Sequence, residues 1–235
     1  AGEQLRRRTA DGAWIHTSST ATAAEVTSLL GTERVVAIHL GAPPPPAPEP
    51  GDTPPGLDAL AEQPFVVAIG TEERRKGLQL LVAAFAEPAM AHSDAHRVLA
   101  GARGDDSDAI DARLAGHPAL DRIRRLGPID DTTKTWLLRH AAALAYPSVD
   151  EGFGFPILEA QRYGVPVVAT DVGSVGEVAG NAAVLVSGRE PAAFAAALAR
   201  AMTGAERTDL IAAGCRNVDR FRWETTAAEL LDLYR

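Results

Sequence analysis

The sequence predicts an α/β fold, a parallel sheet with helices on both faces. Three observations carry that expectation. From residue 65 onward, short apolar runs alternate with segments of helical periodicity, the rhythm of successive βαβ units. Runs such as Phe65-Val66-Val67-Ala68-Ile69 and Val165-Pro166-Val167-Val168-Ala169 are continuously apolar, as strands buried on both faces must be. Several of these runs stop at a glycine or proline, Gly70, Gly101, Gly127 and Pro147 among them, so each strand gives way to a loop at its carboxyl end.

Taken in order, residues 3–9 have helical character and 13–17 form a short strand candidate. Ser18-Ser19-Thr20 then offers N-cap hydroxyls to a helix over 21–30 that stops at Gly31. Residues 34–40 are a second β-rich run, closed by Gly41. Composition then changes: 42–55 is dominated by proline with almost no large apolar residue, and reads as an extended linker that cannot build a core. A proline-rich docking peptide is the alternative for that stretch. After the strand at 65–69 comes a helix over 77–87 with Leu78, Leu81, Val82 and Phe85 on one face. Residues 97–100 are a strand, 108–115 a helix, and 122–126 a strand whose charged residues suit a place near the sheet edge. Asp130-Asp131-Thr132 caps a helix carrying Trp136, Leu137 and Leu138. Strands follow at 141–145, 165–169 and 183–186, the first two separated by a helix for which Pro156 suits the opening position. Helices over 191–202, 206–218 and 224–234 finish the chain.

Composition bounds the function. The chain has 235 residues, is 46% apolar and contains no run of about 18 apolar residues, so no transmembrane span is expected. The polar start, Gly2-Glu3-Gln4-Leu5-Arg6, lacks a signal-peptide core, and a cytoplasmic location is expected. The single cysteine, Cys215, cannot form an internal disulfide and reads as a small buried filler. A net charge of −8 argues against nonspecific binding of nucleic acid. The six histidines are scattered; His92 and His96 have helical spacing, but Ser93-Asp94 breaks it, so no metal site is expected.

Ligands of open α/β sheets sit at the carboxyl ends of the strands, which gathers loops 70–77, 101–105, 127–131 and 146–154 around one crevice. In the last of these, Glu151-Gly152-Phe153-Gly154-Phe155-Pro156 is a glycine turn that opens a helix. Such a turn aims free N–H groups and the positive end of the helix dipole at an anion. Glu159, about one turn inside, is placed to accept hydrogen bonds from neutral hydroxyls beside that anion, as on a ribose. A plain turn with two solvated carboxylates is the alternative. Arg74-Arg75-Lys76 stands directly before a helix, where cations oppose the dipole, so a bound anion explains them better than local stability does. A diphosphate suits their forked and point-charge donors; a solvated loop balanced by Glu72 and Glu73 is the alternative. Asp105-Asp106 and Asp130-Asp131 read as N-caps. Residues 170–177 follow a strand and can reach the crevice, while Glu177 within them suits equally the first-turn acid of the next helix. Residues 101–104 fail the glycine spacing of a dinucleotide fingerprint, which leaves a hydride-transfer enzyme unsupported.

Taken together, these residues match a known pattern. Residues 151–160, with Tyr146-Pro147-Ser148 before and 164–171 after, closely resemble the E-x7-E region of retaining glycosyltransferases of family 4. Loop 70–77 resembles that family's diphosphate loop, and Phe221-Arg222-Trp223 its ending. The resemblance covers about residues 13–235 in consistent order. It implies the two-domain GT-B fold, with this chain supplying mainly the Rossmann-like C-terminal domain. Residues 1–41 would be a remnant of the acceptor domain, 42–64 the proline-rich linker, 65–218 the donor-binding domain, and 219–235 a C-terminal crossover helix. By the same resemblance Lys76 and Arg75 hold the diphosphate of a UDP- or GDP-sugar, and Glu159 binds its ribose. Glu151 lies at the donor sugar beside the turn of Gly152, Phe153 and Gly154, and the base lies near Gly127 and Ile129. The sugar would pass, with retained configuration and no obligatory metal or other cofactor, to an acceptor hydroxyl on a glycan, a lipid-linked sugar or a small molecule.

Three departures qualify the resemblance. Thr71 stands where many relatives have arginine, and Gly176 where they have proline. The acceptor domain's glycine-rich loop and histidine are not found in this sequence, so the chain is expected to be part of a longer enzyme and to transfer sugar poorly alone. That enzyme would be cytoplasmic or peripheral at the inner face of the membrane through the missing domain. The rival readings are a nucleotide-sugar epimerase of the same fold and a non-catalytic nucleotide-sugar-binding module.

Overall fold

The computed structural model describes residues 2–44, 53–91 and 93–235. Residues 45–52 of the proline-rich stretch and His92 lie outside the described residues, and with them the linker expectation for 45–52 and the His92–His96 spacing.

The N-terminal unit is α1 (Gly2–Ala10), β1 (Ile15–Thr17), α2 (Thr20–Leu30) and β2 (Val35–Ala37). The two strands pair in parallel, Ile15 opposite Val35. Of the three candidate hydroxyls Ser19 is the N-cap of α2: it is extended, and its hydroxyl accepts from the Thr22 amide at 3.1 Å. Both strands are shorter than their β-rich runs, since only three residues of each find a partner.

A short α3 (Asp58–Ala61) precedes the main sheet. Leu57 and Leu60, spaced by three on one face, are each 3% exposed and join the core. The main body then alternates β3 (Phe65–Ile69), α4 (Leu78–Ala86), α5 (Pro88–Ala91), β4 (His96–Ala100), α6 (Ser107–Leu114), β5 (Ile123–Gly127), α7 (Asp131–His140) and β6 (Ala143–Tyr146). It continues with α8 (Phe155–Arg162), β7 (Val167–Thr170), α9 (Val175–Ala179), β8 (Ala183–Val186), α10 (Pro191–Ala201), α11 (Gly204–Val218) and α12 (Trp223–Leu233).

Six strands form one all-parallel sheet in the order β5-β4-β3-β6-β7-β8, the α/β architecture the sequence predicts. Strand β5, with Arg124 and Arg125, is at the edge. Alternate residues feed opposite layers. Val66, Ala68, Leu99, Ala143 and Val168 pack with Leu81, Phe85, Ile110 and Phe194 beneath α4, α6 and α10. Phe65, Val67, Val98, Leu144 and Val167 pack with Trp136, Leu137, Ile157 and Val175 beneath α7, α8 and α9. The order reverses between β3 and β6, so the chain leaves these adjacent strands in opposite directions. That switch point is where a parallel sheet opens a crevice for ligand.

Two smaller readings change. Cys215 is exposed: the buried stripe of α11 is Leu210, Ala213, Gly214, Asn217 and Val218, and residue 215 falls beside it. Pro156 is the second residue of α8, which Phe155 begins and Gly154 caps.

The candidate donor site at the sheet switch point

The loops after β3 and β6 meet above the switch point. The first runs extended to Glu73 and then makes a 3-10 turn of Arg74, Arg75 and Lys76 before Gly77. Gly77 has φ +62°, and a Cβ there would lie 2.1 Å from the Pro147 carbonyl oxygen, so only glycine lets the two loops touch. Val149 N–H donates to the Arg75 carbonyl at 2.7 Å and locks the contact. Neighbouring loops are tied in the same way, Glu72 N–H to Ala102 O at 2.9 Å and Gly101 N–H to Gly127 O at 2.8 Å.

Lys76, Arg75 and Glu151 come together. Lys76 Nζ is 2.6 Å from Glu151 Oε1, and Arg75 Nη1 is 3.5 Å from Oε2. The Lys76 and Glu151 side chains are only 13% and 7% exposed, while Arg75 is half exposed and also pairs with Glu73 at 2.7 Å. Ser148 Oγ donates to Glu151 Oε1 at 2.8 Å. The Lys76 ammonium is 5.2 Å from the centre of the Tyr146 ring. Burial first, and then the Glu151 charge, push the Tyr146 hydroxyl far above its usual range, so it stays protonated. Thus Arg75 is the second cation beside Lys76, where Thr71 offers none. Glu72 does not balance this pair, as the solvated-loop reading had it. It is buried, 5% exposed, and takes a two-pronged hydrogen bond from Arg125 and another from Ser107. Burial raises its pKa, but these bonds outweigh that and hold it below the usual value.

Beyond Glu151 the glycine turn is braced from behind. Ser174 donates its amide to the Glu151 carbonyl at 3.0 Å, and its hydroxyl bridges the Glu151 and Phe153 carbonyls at 2.9 and 3.0 Å. Gly154 has φ +108°. With the carbonyls turned back, the amides of Gly152, Phe153 and Gly154 have no hydrogen-bond acceptor among the described residues. Three successive free N–H groups at a helix start form an anion nest. The Phe153 ring points inward against Phe221 and His39, joining the turn to the C-terminal helix region.

Glu159 is not part of this cluster. It pairs with Lys134 of α7 at 2.9 Å and lines a groove of about 310 Å³ with Thr135, Tyr163, Pro43 and Pro44. Burial lowers the Lys134 pKa, and the Glu159 partner more than restores it, so Lys134 is held above its usual value. Gly127 and Ile129 are at the exit of β5; Ile129 lines a separate groove with Pro54, Pro55, Leu57 and Pro128. Of the acids read as caps, Asp130 caps α7 by accepting from the Thr133 amide at 2.7 Å. Asp106 instead accepts from Gln79, and Asp105 from the Arg74 amide.

Glu177 is in the first turn of α9, yet its carboxylate reaches across to the N-terminal unit. It accepts from the Thr20 and Ala21 amides at 2.8 and 3.2 Å and pairs with His39 Nε2 at 2.5 Å. Burial raises its pKa, and the His39 and Thr20 bonds outweigh that, leaving it at about 2. Sequence reasoning did not single out Ser174 or Lys134 as site partners. Neither has a local signal, because each acts on a residue more than 20 positions away.

Among the described residues no helix is long and apolar enough to cross a membrane, and no three His, Cys, Asp or Glu side chains are grouped to hold a metal.

The chain is 31% identical over 178 residues to the O-antigen chain mannosyltransferase B of Escherichia coli, covering 75% of this chain and 47% of that protein. It is 35% identical over 190 residues to a D-inositol 3-phosphate glycosyltransferase of Salinispora tropica, covering 74% and 39%. The chain therefore spans less than half the length of these curated relatives. Among solved structures, the sucrose-phosphate synthase of Thermosynechococcus elongatus superposes with a TM-score of 0.78 at 24% identity, over 94% of this chain and 57% of that one. Anabaena HepE, solved in complex with UDP and glucose, gives 0.75 at 21% identity, over 93% and 62%. The family model for glycosyl transferases group 1 matches residues 63–204. The chain belongs to the group 1, family 4 glycosyl transferases and has the fold of their GT-B C-terminal domain.

Proposed function

We propose that this chain is the donor-binding half of a retaining glycosyltransferase, which moves a sugar from a nucleoside diphosphate to an acceptor hydroxyl. The observation that carries the reading is the facing of Lys76 and Arg75, on one loop, with Glu151 and the free amides of 152–154 on the other. In this reading the diphosphate lies between cations and amides. Both stabilise the charge that develops on it as the sugar departs. Glu151 receives hydroxyls of the donor sugar, and Glu159 those of the ribose. Gly127 and Ile129 present backbone to the base. UDP is the favoured nucleotide, a choice supported by the complexes reported for the Anabaena protein. Sequence outside these 235 residues supplies the acceptor side, so the chain alone binds nucleotide and transfers sugar slowly.

Calorimetric titration with UDP, GDP and ADP tests this. Binding of at least one, with UDP the tightest, is expected. Absence of binding to all three removes the reading.

A further inference from the structure

On the opposite layer of the sheet from α8, a groove of about 500 Å³ runs between α4, α6 and the start of α10. Arg74, Arg113 and Arg189 line it, with Gln79 and Asp106 at its floor. Arg113 and Arg189 are oriented by side-chain contacts, and the backbone of Arg74 is fixed. Arg113 Nε donates to the Gln79 side-chain oxygen at 2.9 Å, and Gln79 in turn donates to the buried Asp106 carboxylate at 2.6 Å. The Arg74 amide is held by Asp105 at 2.9 Å, and Arg189 Nη1 lies 3.4 Å from the Pro147 carbonyl. None of the three guanidinium groups has an ion-pair partner among the described residues.

The chain carries 31 acidic residues against 23 lysines and arginines, and some of its surface arginines do pair with acids, Arg103 with Asp111, Arg200 with Glu206 and Arg235 with Asp232. Three like charges gathered in one concavity repel one another, and the one carboxylate lining the groove, Asp106, is buried and takes its hydrogen bond from Gln79, not from an arginine. Each retains forked N–H donors, the geometry that matches phosphate oxygens. The volume is that of a small-molecule site.

We propose that this groove is a second anion site, taking a phosphomonoester whose oxygens are shared by Arg74, Arg113 and Arg189. It is separate from the donor site, although the two meet at one 3-10 turn: Arg74 faces the groove, while Arg75 and Lys76 approach Glu151. The proposal does not depend on the donor reading. The phosphate can belong to a soluble sugar phosphate or to a lipid headgroup.

Glucose 6-phosphate and inorganic phosphate are titrated into the wild-type chain, Arg113→Glu and Lys76→Ala at low ionic strength, and the same proteins are sedimented with vesicles containing phosphatidic acid, whose headgroup is a phosphomonoester. Expected is binding of glucose 6-phosphate that Arg113→Glu weakens at least tenfold and Lys76→Ala leaves within twofold. Binding to vesicles alone, lost in Arg113→Glu, supports the same site and assigns the phosphate to a headgroup. Binding lost in Lys76→Ala but kept in Arg113→Glu places the anion at the donor loop and overturns the proposal. So does failure of the soluble phosphates and the vesicles alike to bind. Arg189→Gln gives a second readout with the same expected loss, should Arg113→Glu not fold.

Discussion

Replacing Lys76 by alanine separates the diphosphate reading from a structural one. In the free chain Lys76 Nζ is 2.6 Å from a carboxylate only 7% exposed. Removing it leaves Glu151 with the Ser148 hydroxyl at 2.8 Å and an Arg75 nitrogen at 3.5 Å. Breaking a fully buried pair costs about 3–5 kcal/mol; with Arg75 still near and water at the rim, about 1–3 kcal/mol of stability is the expected loss. For binding, Lys76 would contribute one charge-assisted hydrogen bond to the diphosphate, worth roughly 1.5–3 kcal/mol, or about 10- to 150-fold in affinity. The assay is calorimetry with UDP and uridine in parallel, together with a thermal melt. UDP should lose that factor while uridine, which has no phosphate, changes less than about twofold. The double substitution Lys76→Ala with Glu151→Ala removes the stranded carboxylate and should recover much of the melting temperature without recovering UDP affinity. Equal losses for UDP and uridine, or recovery of both properties in the double variant, would refute the role and leave Lys76 a structural partner of Glu151.

Lys134→Met leaves Glu159 unpaired, and it should weaken UDP and uridine by the same factor, roughly three- to tenfold, because the ribose is common to both; calorimetry on both ligands decides. Glu177→Gln tests the tie to α2. A carboxyl lowered from 4.5 to about 2 contributes about 3 kcal/mol of stability above pH 4.5, and loses it as pH falls from 4.5 towards 2. The melting temperature of the variant should therefore lie below that of the wild type at pH 7, with the gap closing in acid; a constant gap contradicts the assignment. Gly77→Ala places a Cβ 2.1 Å from the Pro147 oxygen at φ +62°, and should cost about 2 kcal/mol or more in a denaturant titration while also weakening UDP.

The sheet was legible because its strands carry the information locally. Runs such as 65–69 and 183–186 are strands wherever they pack, and glycines at their ends fix where the loops begin. The edge place of β5 could be read from Arg124 and Arg125, since an edge strand leaves charged side chains a path to solvent. Short elements were harder to read: Leu57 and Leu60, just past the proline-rich stretch, suffice to seat α3 on the sheet. Cys215 was misplaced because a helix stripe is set by its neighbours in space, and one position of rotation moves a side chain from core to water. Within the site, cations and glycine turn were each readable, since both violate what local stability would choose. The residues that brace them were not: Ser174, Lys134 and the Arg125 that removes Glu72 from the charge balance are ordinary until the sheet order brings them close.

That order also explains why the site is neutral before any ligand arrives. At a switch point the loops after β3 and β6 are the two that can face each other, so cations on one and a carboxylate on the other must meet. Charges this close to the core cannot remain unpaired, and in the free chain they pair with each other. An ammonium has three N–H donors. Lys76 spends one on Glu151 and directs another, at 3.5 Å, to the Tyr146 hydroxyl, which leaves one for a phosphate oxygen without breaking the pair. Glu151 Oε2 faces Arg75 at 3.5 Å, and in the proposed reading it has room for a sugar hydroxyl. In the proposed reading a donor enters by adding to this network instead of replacing it, because the carboxylate assigned to the sugar already sets the geometry of Lys76.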